Sequence, residues 1–228
     1  EMSKFCKKDK VDPTCLDEFR KISLDISKKW WDIWLKNKNN SEFAGLTELA
    51  FENLLSVDTT VAPDSKSRFA FAELLFQQNK FEKSSQNYEI VSLQQNLDKT
   101  LAHDSLYGAL FAIEKKLEKQ ETAALVEKQK NLSLRYLNSF PNGEHLLDIQ
   151  YKLGYIAYKQ SDYDLSLKYV QPLLTKNKYV QLKLKSEDLV LDILNIKKDY
   201  DLIKNTVKNI LSNSKNIPPD RMLALKSI

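Results

Sequence analysis

Few residues in this 228-residue chain have the types and spacing that chemistry requires. Catalysis needs a nucleophile beside its base, a pair of carboxylates, or a metal cluster. The two histidines, His103 and His145, have no second histidine at i+3 or i+4, so neither opens a metal-binding helix face. His103 stands beside Asp104 and His145 follows Asn142-Gly143-Glu144, both near expected helix starts, where a surface or capping role accounts for them. Ser84, Ser85 and Ser166 have no adjacent histidine, and no glycine-rich phosphate loop is present. Asp162-Tyr163-Asp164 and Asp199-Tyr200-Asp201 look like acidic pairs, yet each falls in an expected turn, where Asp caps the helix that follows. No catalytic residue, cofactor or metal is therefore expected. What remains suits binding: Tyr151, Tyr155 and Tyr158, at i, i+4 and i+7, fall on one stripe of a helix.

The only other reactive side chains are Cys6 and Cys15, nine positions apart (15 − 6). A disulfide is sterically reasonable over so short a loop and would contribute about 2–3 kcal/mol in the chain-entropy picture. The alternative is two free thiols near a frayed end. Pairing is the expectation, since both cysteines lie in one terminal segment, and an oxidised pair places the protein outside the reducing cytosol. A metal site would need further ligands, and neither histidine is near.

Composition narrows the class. The chain is 42% hydrophobic with only four Gly and six Pro, which fits a mostly helical protein rather than a turn-rich sandwich or barrel. The net charge is +4, and of 35 basic residues only Arg20, Arg68, Arg135 and Arg221 are arginines. The other 31 (35 − 4) are lysines interleaved with Asp and Glu, so no arginine-led face for nucleic acid is expected. No run of about 18 apolar residues spans a membrane, and no charged-then-apolar leader opens the chain. Glu1 and Ile228 both fall as if cut from a longer protein, so a targeting segment or lipid anchor would lie beyond them.

The elements that position these residues are helices. Pro13 suits a first helical turn, and Leu16, Phe19, Ile22, Ile26, Trp30, Ile33 and Trp34 recur at helical spacing to about Lys36. All three tryptophans, Trp30, Trp31 and Trp34, lie here. They are expected to pack as an end cap, with an exposed aromatic patch as the alternative. Asn37 to Asn40 is a polar turn, and a second helix carries Phe43, Leu46, Leu49, Ala50, Leu54 and Leu55. Residues 58–64 form a loop. The domain expectation is a Trp-rich N-terminal helix pair over 1–57 and a helical array over 58–228.

Within the array, Tyr151 to Leu174 is the clearest unit. Leu153, Gly154, Ala157 and Tyr158 share one face, Ser161-Asp162 breaks the pattern, and Tyr163, Leu167, Val170 and Leu174 make a second stripe. Gly154 costs about 1 kcal/mol inside a helix unless another backbone must come close. These residues resemble a tetratricopeptide repeat (TPR): Leu153-Gly154 is similar to the family's Leu-Gly pair, and Tyr163 to its aromatic after the turn. Ser166 stands where the family has a small Ala. Aligned on the aromatic, Phe81, Ala72 and Ser84 match Tyr163, Gly154 and Ser166, and Tyr200 and Leu191 match Tyr163 and Gly154. The spacings are 82 (163 − 81) and 37 (200 − 163). Leu106 to Leu117, with Gly108 in the Gly place and Leu117 after the turn, is expected to fill the longer interval. That yields steps of 36, 46 and 37 (117 − 81, 163 − 117, 200 − 163), against a period of about 34 for the family. The step of 46 implies a lengthened second helix over about 120–139. The helix ending in Phe140-Pro141-Asn142-Gly143 and leading into a Leu-Gly repeat resembles bacterial periplasmic and outer-membrane-assembly TPR proteins.

The resemblance implies an all-α, right-handed superhelical solenoid of antiparallel helix pairs whose first helices line a concave groove. The groove places would be Asp148, Tyr151, Tyr155, Tyr158 and Lys159 in the central repeat, and Lys66, Phe69, Glu73 and Phe76 in the first. Ser105, Ala109 and Ala112 would leave a shallow hollow in the stretched one. The family's carboxylate-clamp members carry Lys and Asn where Tyr151 and Tyr155 stand, so that mode of binding is not implied. The expected function is a non-enzymatic scaffold in a bacterial envelope complex, extracytoplasmic and outer-membrane or peptidoglycan associated. It would hold a protein or peptide on these aromatics, with Trp31 as a further contact. The alternatives are a regulatory or docking segment of a larger enzyme, and a glycan- or peptidoglycan-binding module using the tryptophans.

Overall fold

A computed structural model describes residues 13–56, 65–176, 178–213 and 217–227. Cys6 and the 58–64 loop lie outside the described residues, so the structure does not address the Cys6–Cys15 pairing. All regular structure among the described residues is helical. The α-helices are α1 (Pro13–Lys36), α2 (Ser41–Ser56), α3 (Ser65–Gln77), α4 (Phe81–Ser92), α5 (Lys99–Lys119), α6 (Ala123–Ser139), α7 (Leu146–Lys159), α8 (Tyr163–Val170), α9 (Val180–Ile196), α10 (Tyr200–Asn213) and α11 (Pro219–Lys226). A 3-10 helix (Gln171–Thr175) continues α8. No described helix is long and apolar enough to cross a membrane.

The chain divides into two compact units, Glu1–Leu132 and Ser133–Ile228, with the boundary inside α6. In unit 1, Trp34 of α1, Ala44, Phe51 and Leu54 of α2, and Phe71, Leu74 and Leu75 of α3 form one core. The N-terminal pair thus shares its core with the helix that follows. The buried face of α1 is not the isoleucine stripe that the spacing predicts. Ser23, Ser27 and Trp34 are buried, whereas Ile22, Ile26 and Ile33 are exposed. Ser27 explains the rotation: its Oγ donates to Ser23 O (2.7 Å) and lies 3.0 Å from Ala50 O, so a small hydroxyl brings α1 and α2 close. Leu49 likewise faces solvent.

Three helix pairs, α3/α4 in unit 1 and α7/α8 and α9/α10 in unit 2, share one turn. Asn79, Ser161 and Lys198 adopt left-handed φ of 60°, 61° and 56°, each two residues before the aromatic that begins the next helix. In each the following N–H reaches back five residues: Lys80 to Leu75 O (2.8 Å), Asp162 to Ala157 O (2.9 Å), Asp199 to Leu194 O (3.0 Å). These bonds satisfy carbonyls that a helix end leaves open. The expected Asp caps are present: Asp162 accepts from Leu165 N and Asp199 from Leu202 N, both at 3.1 Å.

Burial repeats with the same offsets of 82 and 37. Phe71, Leu153 and Val190 are buried, as are Leu74, Ile156 and Ile193, then Leu75, Ala157 and Leu194, then Tyr88, Val170 and Val207. A hydroxyl clip recurs in two of the pairs. Ser84 Oγ donates to Ala72 O (2.8 Å) and Ser166 Oγ to Gly154 O (2.7 Å). In the third pair the equivalent position is the buried Ile203. Gly154 is where two backbones meet: an added Cβ would lie 2.8 Å from Val170 Cγ2.

The stretch between the first and second of these pairs differs from the expected repeat. Leu117 does not follow a turn, since α5 runs unbroken to Lys119 and the break comes at 120–122. After Gly108 the residues to Lys119 carry no Gly, Pro or polar break to stop a helix. Gly108 accordingly faces the preceding helix, where an added Cβ would lie 3.0 Å from the Tyr88 ring. The second helix of this stretch, α6, spans most of the expected 120–139.

Candidate functional site: a tyrosine-lined cavity

The side chains that the sequence singles out on α7 come together in unit 2. Tyr151 and Tyr155 stack with ring centroids 6.4 Å apart and planes 15° from parallel, and Tyr155 and Tyr158 follow at 6.3 Å and 24°. Helical spacing alone produces this ladder, because i, i+4 and i+7 stand above one another on one face. The three rings form one wall of a cavity of about 860 Å³. The opposite wall comes from α9, with Asp188, Asp192 and Asn195 as polar groups beside the apolar Leu189 and Leu191.

These α9 residues occupy the same register positions as the tyrosines, 37 residues on (188 − 151, 192 − 155, 195 − 158). Sequence reasoning missed them, although the 37-residue offset that relates Tyr163 to Tyr200 points straight to them. Lys185, one turn earlier on α9, also lines the cavity, and Ile203 of α10 contributes from below.

The three tyrosines are not equivalent. Tyr151 and Tyr158 are half-buried against the core of unit 2, whereas Tyr155 is 45% exposed. Tyr158 Oη donates to Asp192 Oδ2 (2.9 Å), tying the two walls together. That bond, followed by burial, raises the Tyr158 hydroxyl above its ordinary range, while burial first raises Tyr151. Asp188 is engaged from outside the cavity by Arg221 of α11, whose Nη1 lies 2.7 Å from its Oδ1. The same guanidinium reaches the buried Glu187 (3.0 Å), with Lys183 3.8 Å away on the other side. These ion pairs hold α11 to the back of α9 and set the position of the acidic wall. Lys159 is exposed and Asp148 pairs with Lys152 (2.6 Å), and neither lines the cavity.

The remaining expected site residues are engaged in packing within unit 1. Phe69 meets Tyr88 edge-on (5.2 Å), and Tyr88 Oη donates to Glu73. Phe76 stacks on Phe111 (5.4 Å, 22°) and meets Phe81 edge-on. Lys66 is exposed. Ser105, Ala109 and Ala112 are buried, so they open no hollow. Small residues there let α5 pack closely instead. Trp31 is half-buried, 5.0 Å from Trp34 and edge-on to Phe51, and Trp30 packs on Phe43. The three indoles are thus divided between core contacts, with none fully exposed.

His103 contacts Asp104 (3.0 Å) and His145 contacts Glu144 (3.0 Å), each with its sequence neighbour. No cluster of three or more metal-ligating side chains occurs among the described residues. No protein-family model matches the chain, and no curated protein matches it.

Proposed function

We propose that this chain is a non-enzymatic protein-interaction module built from TPR-like helix pairs. Its cavity between α7 and α9 holds a peptide or a segment of a partner protein in a bacterial cell-envelope complex. The observation that carries the reading is the cavity's construction. The same three outward positions of two successive helix pairs form its two walls, Tyr151, Tyr155 and Tyr158 facing Asp188, Asp192 and Asn195. Stacked tyrosines offer large apolar area at low entropy cost, and the hydroxyls and carboxylates add hydrogen-bonding groups for a polypeptide. The TPR reading is supported by the shared turn and the recurring burial, and by the Ser–carbonyl clip in two of the pairs. The envelope assignment rests on the Phe140-Pro141-Asn142-Gly143 resemblance and the expected Cys6–Cys15 bridge.

A photo-reactive phenylalanine at position 155, introduced in the full-length protein in its own cell, tests the reading. Position 223 on α11, where Leu223 is 69% exposed, serves as the control. The expected result is a discrete adduct from 155 that is absent from 223, with Tyr155→Ala losing the same partner in affinity capture. Identical adducts from both positions, or none from 155, would remove the cavity from consideration as the docking site.

A further inference from the structure

The cavity's charges are arranged for a particular kind of side chain. Its two carboxylates are chemically alike but differently occupied. Asp188 already carries a guanidinium, that of Arg221. Asp192, one turn further along the same face, accepts only the Tyr158 hydroxyl and has no cationic partner among the described residues. Tyr155, which lines the same cavity, is 45% exposed. The Tyr151 and Tyr155 hydroxyls also have no hydrogen-bond partner among the described residues. Among the described residues the cation lining the cavity is Lys185, seven positions before Asp192 (192 − 185) and about 10 Å along a helix, too far to pair with it directly.

An aromatic face beside an uncompensated carboxylate attracts a cation twice, through the ring quadrupole and through the charge. Guanidinium fits better than ammonium, because its plane stacks on a ring while its edge hydrogen-bonds a carboxylate or phenol oxygen. An acidic ligand would meet two carboxylates across the tyrosine wall and only Lys185 in its favour. From this juxtaposition we propose that the cavity selects partners presenting an arginine side chain, set against the solvent-exposed part of the tyrosine ladder at Tyr155 with its edge toward Asp192. This specificity rests on the peptide-binding reading above and sharpens it. On this assignment, Asp192 is to the incoming arginine what Asp188 already is to Arg221.

The test uses the whole chain with carbon-13-labelled tyrosine and two blocked tripeptides, Ac-Ala-Arg-Ala-NH2 and its citrulline counterpart, which has nearly the same shape without the charge. Nuclear magnetic resonance follows the ring signals of Tyr155 and Tyr158 during titration. The arginine peptide is expected to shift both rings and to bind about fivefold tighter than the citrulline peptide, the ratio that a partly exposed cation–π contact and ion pair supply. In Asp192→Asn, whose amide oxygen still accepts from Tyr158, the ratio should fall to about twofold, the share that the cation–π contact supplies alone. Equal shifts by both peptides in the unmodified chain would overturn the arginine assignment while leaving a peptide site in place. A preference undiminished in Asp192→Asn would overturn the role of Asp192. Absence of any ring shift with either peptide would overturn the cavity as a peptide site altogether.

Discussion

Tyr88 shows how much one side chain can organise. It is buried, its hydroxyl donates to Glu73, its ring meets Phe69 edge-on, and Gly108 exists in α5 to make room for it. Burial first, and the Glu73 carboxylate second, push its hydroxyl far above the ordinary tyrosine value of 10.0. The folded chain therefore keeps this proton when the unfolded chain releases it, and stability should fall as pH rises past about 10. Tyr151 and Tyr158 are raised too and add in the same sense. In Tyr88→Phe, urea midpoints measured from about pH 8 upward should decline less steeply than in the parent. At neutral pH the same variant should cost about 1 kcal/mol, for the lost hydrogen bond. Parallel pH profiles would show that Tyr88 titrates normally. The tyrosine stripe was legible in the sequence because helical spacing alone defines it. The Tyr88 centre was not, since Gly108 reads equally well as a contact to the helix after it or the helix before it.

At the scale of the element, the three matching turns carry different residues in the same left-handed conformation. That conformation costs an ordinary L-residue about 1–2 kcal/mol, and Asn tolerates it better than most. Lys198, at φ 56°, is the least suited of the three. Lys198→Gly should stabilise the protein by about 0.5–1 kcal/mol after the added entropy of the unfolded glycine is subtracted, and Asn79→Gly by less. Thermal melts of the two variants decide it: an equal shift for both, or a loss at 198, would mean that the side chains rather than the backbone set these turns. The turns were legible because each polar break is followed by an aromatic that opens a new helix. The α5 segment was misread for lack of any such break, its Leu117 being simply one more residue of a long helix. The rotation of α1 was hidden for another reason. Hydrophobicity marks Ile22, Ile26 and Ile33, but the small hydroxyl of Ser27 decides which face α2 can approach.

For the whole molecule the strongest expectation is redox state. If Cys6 and Cys15 are joined, protein purified without reductant and denatured should show no free thiol, and reductant should restore two. Two free thiols at the outset would remove the chemical ground for an extracytoplasmic location. At this scale the sequence conveyed the helical class and the pairing of neighbours, since low Gly and Pro content and helical spacing act over the whole chain. It did not convey which helices join in one core, as Leu74 and Leu75 of α3 join Trp34 of α1, because no single helix's spacing names its neighbours. One feature of the helix pairs bears on how such a protein changes over time. The buried positions 153, 156 and 157 of α7 interleave with the wall positions 151, 155 and 158, and α9 repeats the arrangement 37 residues on, but Tyr151 and Tyr158 also pack on the core and Leu189 is at once buried and part of the cavity lining. Foldability and ligand preference are thus written in separate letters at Tyr155, Asp192 and Asn195, exposed wall positions that take no part in the core. Substitutions at these three positions can accumulate under selection for a new partner while leaving the buried set intact, so a saturation library over 155, 192 and 195 should stay largely folded even as its binding diverges, whereas one over 151 and 158 should lose folded members.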